Sequence, residues 1–215
     1  MKNMAKSTTK RKPPEVIPSD YLAVNSSENW LSNSIRGVTY DKEFLRIISF
    51  YVLHSPCRLS SYSSQSLLYL GWKDSVWSSN LFREEFLSLS SIPSNLFQSH
   101  EYKSHFLSLW NSSGLNMSFF DENREFAIFI NGGEKNPMLN LFHRIRNAFA
   151  HGRFATKIVN NECYFYMEDV TEIKDLTGLF AVARICVKKQ TLLAWIDLLE
   201  KKNPSANQKL KSLFL

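Results

Sequence analysis

Apolar residues recur along this chain in two rhythms. In "DKEFLRIISFYVLHSP", Phe44, Ile47, Ile48 and Tyr51 stand three and four apart, the interval that aligns side chains on one face of an α-helix. Asp41 offers a capping carboxylate ahead of that stripe and Pro56 a stop behind it, so the stretch predicts a helix. The same rhythm predicts helices in "LFREEFLSLSS" through Leu81, Phe82, Phe86 and Leu87, and in "EYKSHFLSLWNSS" through Tyr102, Phe106, Leu107 and Trp110. In "KQTLLAWIDLLEKK" it turns Leu192, Leu193, Ile196 and Leu199 inward. "SLLYLGWKDSVWSS" fits helix and strand equally.

The second rhythm is alternation. Phe126, Ile128 and Ile130 precede Gly132-Gly133 and read as a strand and a turn. "ATKIVNNECYFYMED" reads as two strands joined at Asn160-Asn161, residues that tolerate positive φ. "LFAVARICV" suggests a further strand, though its small residues leave helix open. Between these lies Asn136-Pro137, a cap followed by proline at the first helical position, opening a helix that Gly152 is placed to stop. The expected fold is mainly α with a small β element, either a hairpin or a short sheet.

Residues 1–20, "MKNMAKSTTKRKPPEVIPSD", carry three prolines, several cations and little bulk, and are expected to be a disordered basic segment ahead of a single domain over 21–215. The chain's net charge of +6 fits an anionic partner, but Lys2, Lys6, Lys10, Arg11 and Lys12 account for much of it and such a run is usually a solvated tail. No stretch of about 18 consecutive apolar residues occurs and the N-terminus has no apolar signal core, so a cytoplasmic protein without a membrane partner is expected. Cys57, Cys163 and Cys186 lack metal-ligand spacing and are read as reduced, buried thiols. His100 and His105, five apart, share no helix face and make a poor metal pair. Neither a metal nor a cofactor is expected.

The helix opened by Asn136 contains "LFHRIRNAFAHGRF", the stretch richest in candidate chemistry. At about 100° per residue, Met138, Leu141, Phe142, Ile145, Ala148 and Phe149 fall in one arc, a core stripe. His143, Arg146, Asn147, Ala150 and His151 occupy the opposite half, with Asn147 between Arg146 and His151 in angle. An ordinary solvated face, with arginine favourable near the helix C-terminus, accounts for any one of these residues. Two features go beyond it. Ala150 is small in the middle of the polar arc, where another chain could approach closely, and His151 sits at the helix end where its ring can reach past the last turn. A guanidinium can hold non-bridging phosphate oxygens through two bonds. A histidine, with an ordinary pKa of about 6.5, can take or give a proton at working pH. RNA brings its own nucleophile in the 2′-hydroxyl, so these two roles suffice for strand cleavage.

Arg146-Asn147, three residues, then His151 at a helix end, within "RNAFAHG", resembles the signature of the HEPN superfamily: arginine, four to six residues, histidine, with a polar residue often following the arginine. The likeness is specific over Phe142 to Phe154 and fainter through "YFYMED" and the last helix, toward the plasmid- and phage-defence-associated branch. The resemblance implies a HEPN-like helical bundle and a metal-independent endoribonuclease serving as a toxin or antiviral effector. It implies His151 as general acid/base, Arg146 steadying the phosphate and Asn147 orienting the pair; His143, Arg144 and Arg153, the remaining basic positions of the stretch, are read as RNA or surface contacts. It further implies a cytoplasmic homodimer with a composite active site, RNA as substrate, and an antitoxin or regulatory partner. Members paired with nucleotidyltransferase antitoxins often carry tyrosine two residues after the histidine; here that position is Arg153, which argues against control through a modified tyrosine. The alternative is a non-catalytic RNA-binding or dimeric regulatory domain. A DNA-binding protein is a weaker third reading, since no helix-turn-helix spacing occurs.

Overall fold

The computed structural model describes residues 21–24, 30–31, 41–56, 80–115, 124–131 and 136–202. The described helices are α1 (Lys42–Leu53), α2 (Asn80–Ser88), α3 (Phe106–Ser112), α4 (Pro137–Ala150) and α5 (Lys189–Lys202). The strands are β1 (Phe97–His100), β2 (Phe126–Ile130), β3 (Phe154–Val159), β4 (Glu162–Thr171) and β5 (Phe180–Lys188). The expected basic segment 1–20, the Cys57 thiol, the ambiguous stretch 66–79 and the Gly132-Gly133 turn lie outside the described residues.

The strands form one sheet in the order β1-β2-β5-β4-β3, with β1 and β2 parallel and the other neighbours antiparallel. This overturns the expectation of a mainly α, HEPN-like helical bundle with a small β accessory: a mixed five-stranded sheet forms the centre of the described residues. β2, β4 and β5 are buried on both faces. Phe126, Ile128 and Ile130 pack into one apolar cluster while Ala127 and Phe129, between them, pack into the other. Such burial leaves only β5 open to a helical reading. β2, β3 and β4 read as strands from the sequence; the physical reason for the larger sheet is β1 and the pairings between distant strands that join all five, which the sequence does not show.

One face of the sheet is covered by α1, α2, α4 and α5, which bring Phe44, Phe86, Phe142 and Trp195 against Phe129, Phe165, Met167 and Ile185. The other is covered by α3 and the segments around Leu22 and Trp30, which pack on Ile128, Tyr166 and Val182. α1 begins where its cap was expected, with Asp41 Oδ1 accepting from the Phe44 N–H at 2.8 Å. α2 and α3 form, but more narrowly than their apolar spacing suggests: Leu81 is 76% and Tyr102 62% exposed, Phe82, Phe86, Phe106 and Trp110 are buried, and Leu87 and Leu107 pack partly buried against the core. β1 has no counterpart in the sequence reading. The β3–β4 turn is as expected, with Asn160 at φ 51° and Asn161 at φ 64°, the left-handed pair that matches strand twist.

α4 carries the candidate site and both its ends are defined. Asn136 Oδ1 accepts from the N–H groups of Met138 at 2.8 Å and Leu139 at 3.3 Å, and Pro137 opens the first turn. At the other end Gly152, at φ 64°, lets its own N–H reach Phe149 O at 3.1 Å and the Arg153 N–H reach Ala148 O at 2.8 Å, a Schellman closure. Between the caps, Met138, Leu141, Phe142, Ile145, Ala148 and Phe149 are all buried, as the 3.6-residue spacing predicts. Among the described residues no helix is long and apolar enough to cross a membrane.

Candidate functional site

The polar half of α4 meets the end of the sheet. β4 carries two adjacent carboxylates, Glu168 and Asp169, and strand alternation sends them to opposite faces. Asp169 lies on the α4 side, 3% exposed, just before a β-bulge between Asp169 and Val170. A buried carboxylate must be paired or heavily hydrogen-bonded to stay charged. Arg144 supplies the pairing: its Nη1 donates to Asp169 Oδ2 at 2.7 Å, while its Nε and Nη2 donate to Ile130 O at 2.9 and 2.8 Å.

Asn147 connects this buried pair to the helix surface. Its Nδ2 donates to Asp169 Oδ2 at 3.2 Å and lies 3.1 Å from His143 Nε2, and its Oδ1 accepts from Arg146 Nη1 at 3.0 Å. The partners dictate the amide's orientation, because a flipped group would set its oxygen against the carboxylate. With Nδ2 donating, His143 Nε2 must accept, so the proton of the neutral ring sits on Nδ1. The surroundings agree: burial holds the His143 pKa below the ordinary histidine value, and the Arg144 guanidinium beside it acts in the same direction.

His151 is placed differently. It is the C-cap of α4, exposed, and joined to Asn147 through the backbone, its N–H donating to Asn147 O at 2.9 Å. Its imidazole has no hydrogen bond to Arg146, Asn147 or His143. The structure thus links Arg146, Asn147 and His143 through side chains and sets His151 one turn further on, at the open end of the same helix. Ala150 beside it is exposed, so nothing bulky from α4 itself stands between Arg146 and His151.

Two expected RNA contacts are redirected by the fold. Arg144 is 6% exposed with its guanidinium committed to Asp169 and Ile130, beneath the helix surface where an RNA contact was expected. At about 100° per residue Arg144 falls at the edge of the core stripe, beside Ala148, and there the sheet brings a buried carboxylate. Arg153 is half-buried and donates to Glu168. Glu168, fully buried on the opposite face of the sheet, also accepts from Arg184 Nε at 2.9 Å. The Arg184 guanidinium lies 5.1 Å above the Trp30 ring and 5.0 Å above the Trp110 ring. Among the described residues this layer sets Arg144, Arg153 and Arg184 against Asp169 and Glu168, one cation more than anion.

Asp169, Glu168 and Arg184 are absent from the sequence reading, although a signal was present. Two successive acids in the otherwise apolar run "YFYMEDV" cannot both face solvent from a buried strand, so each demands a cationic partner. Among the described residues no group of three or more His, Cys, Asp or Glu side chains is placed to hold a metal ion. Cys163 is half-buried and Cys186 buried, and both are free thiols. No family model, no curated protein and no solved structure matches the chain.

Proposed function

We propose that this protein is a metal-independent endoribonuclease acting as a toxin or antiviral effector, with Arg146 and His151 at its centre. The single observation that carries the reading is the bond pattern of Asn147. This residue ties the half-buried Arg146 to Asp169 in the interior, so the guanidinium is held in place about one helical turn from the exposed His151. The likeness of Arg146, Asn147 and His151 to the HEPN signature supports the same roles, and it rests on those residues and not on overall architecture.

In the reaction, the His151 imidazole takes the proton of the RNA 2′-hydroxyl as that oxygen attacks the adjacent phosphorus. Arg146 stabilises the negative charge that grows on the non-bridging oxygens. The P–O5′ bond breaks, the leaving oxygen receives a proton, and the products are a cyclic 2′,3′-phosphate and a 5′-hydroxyl. One histidine cannot be base and acid in a single step, so a second copy of the chain, supplying its own His151 across a composite cleft, completes the scheme. An antitoxin or regulatory partner would act by covering this face.

A second reading, a non-catalytic RNA-binding regulator, is favoured by the lack of any hydrogen bond orienting the His151 ring. One assay separates the two. The full chain is incubated with single-stranded RNA in EDTA beside His151→Ala and Arg146→Ala. Cleavage leaving cyclic phosphate ends, lost in both variants while their thermal midpoints stay unchanged, is expected. RNA binding without turnover favours the regulator, and cleavage that persists in His151→Ala sinks the catalytic assignment.

A further inference from the structure

A cluster of aromatic rings that the site above does not use stands at the same end of the sheet. His100 closes β1, and the His100 and His105 rings stack with centroids 4.2 Å apart and 18° between planes. The Tyr102 ring lies 5.8 Å from His100 and 5.9 Å from His105. These rings are not core. The segment anchors itself through Phe106 and Trp110, which are buried, whereas Tyr102 is 62% exposed and His105 is exposed as well. The cluster is held in place by its backbone: His100 Nδ1 accepts from the Tyr102 N–H at 3.2 Å, and the His105 N–H donates to Tyr102 O at 3.0 Å.

Two routes of bonds join the cluster to the candidate site. His100 pairs with Ile130 in the parallel β1–β2 ladder, its carbonyl accepts from the Asn131 N–H at 2.7 Å, and Ile130 O is the acceptor that holds Arg144. Separately, Lys103 Nζ donates to Thr171 Oγ1 at 3.2 Å, two residues along β4 from Asp169. The rings stand on the end of β1 beside β2 and β4, and Arg146, on α4, is tied to the same end of β4 through Asn147 and Asp169.

We propose that His100, Tyr102 and His105 form a stacking platform for an unpaired base of the RNA strand whose phosphate is held at Arg146, with Lys103 meeting the backbone beside it. The proposal rests on the RNA-directed reading of the α4 face. Exposed planar rings locked against one another are costly to leave in water and lose little freedom when a base adds to the stack, and every base has a π face to offer. A cation on the same short segment matches the phosphate that accompanies each base. The platform therefore favours single-stranded RNA over duplex, in which bases are already stacked.

The test is fluorescence anisotropy with the full chain and a labelled single-stranded 2′-O-methyl oligonucleotide, which lacks the nucleophile and cannot be cleaved. The double variant Tyr102→Ala/His105→Ala is expected to bind about tenfold more weakly or worse. Tyr102→Trp and His105→Phe, which keep a ring, should hold wild-type affinity. On a strand of the same length made of abasic sugars, wild type and the double alanine variant should bind alike. Wild-type affinity in the double alanine variant overturns the platform while leaving the RNA reading standing, as does an equal loss on both strands, which would mark a charge effect. A wild-type protein that binds neither strand overturns both.

Discussion

Replacing Arg144 with methionine tests whether this residue belongs to the interior or to an RNA-facing surface. The guanidinium donates to Asp169 Oδ2 at 2.7 Å and twice to Ile130 O at 2.9 and 2.8 Å, at a position 6% exposed. Methionine fills most of the volume but leaves the Asp169 carboxylate, 3% exposed, with Asn147 as its remaining side-chain donor. Breaking a buried pair from one side costs about 3–5 kcal/mol, because the surviving charge is left desolvated. Against a total stability of about 5–15 kcal/mol that is a large fraction. Urea unfolding followed by fluorescence suits the measurement, since Trp30, Trp110 and Trp195 are all buried and will report the loss of packing. With a slope of about 2 kcal/mol per molar urea, the midpoint should fall by roughly 2 M. The double variant Arg144→Met/Asp169→Leu removes both charges and should cost at least about 1 kcal/mol less than the two single changes added together. A single variant within about 0.5 kcal/mol of wild type, as expected of a surface arginine, would refute the placement of Arg144.

Two further outcomes are expected. His143 and His54 both have pKa values held below the ordinary histidine value, chiefly by burial. A histidine lowered in the folded state binds protons more readily when unfolded, so its contribution is fully present above about pH 6.5 and is lost as the pH falls below that value. The thermal midpoint should therefore drop between about pH 7 and pH 5.5, above the carboxylate range, and His143→Gln should flatten the slope; a midpoint that rises over this interval would contradict the burial argument. Gly152 closes α4 at φ 64° with no atom within 4 Å of where a Cβ would stand, so Gly152→Ala suffers backbone strain alone, about 1–2 kcal/mol in urea unfolding. Gly152→Asn should cost less, and equal losses in the two variants would mean that contacts, not φ, decide the position.

The local signals were legible wherever a segment's own chemistry decides its shape. Asp41 caps α1 and Asn136 caps α4, each through a side-chain oxygen beside the N–H it satisfies. Asn160 and Asn161 turn the hairpin because their short side chains tolerate positive φ. The buried stripe of α4 follows from 3.6-residue spacing, and the same arithmetic put Arg146, Asn147 and His151 on one side of it. For these features the partner lies within a few residues, so the chain alone determines them.

What only the tertiary structure decided involves partners far along the chain. β1 is four residues with no alternation to mark it, and it exists as a strand because β2, about thirty residues later, offers a parallel edge. The sheet outgrew the expected hairpin because β2 pairs with β5 and with β1 across long stretches of chain, a choice of partner that a strand's own residues do not encode. The polar half of α4 was divided in the same way. Helical spacing says which residues share a side but not what that side meets, and across part of it stands Asp169, delivered by β4. That one buried carboxylate draws Arg144 inward and ties Asn147 down, leaving Arg146 half-buried above it and His151 exposed at the helix end, since a charge removed from water takes the nearest cation that the fold can bring.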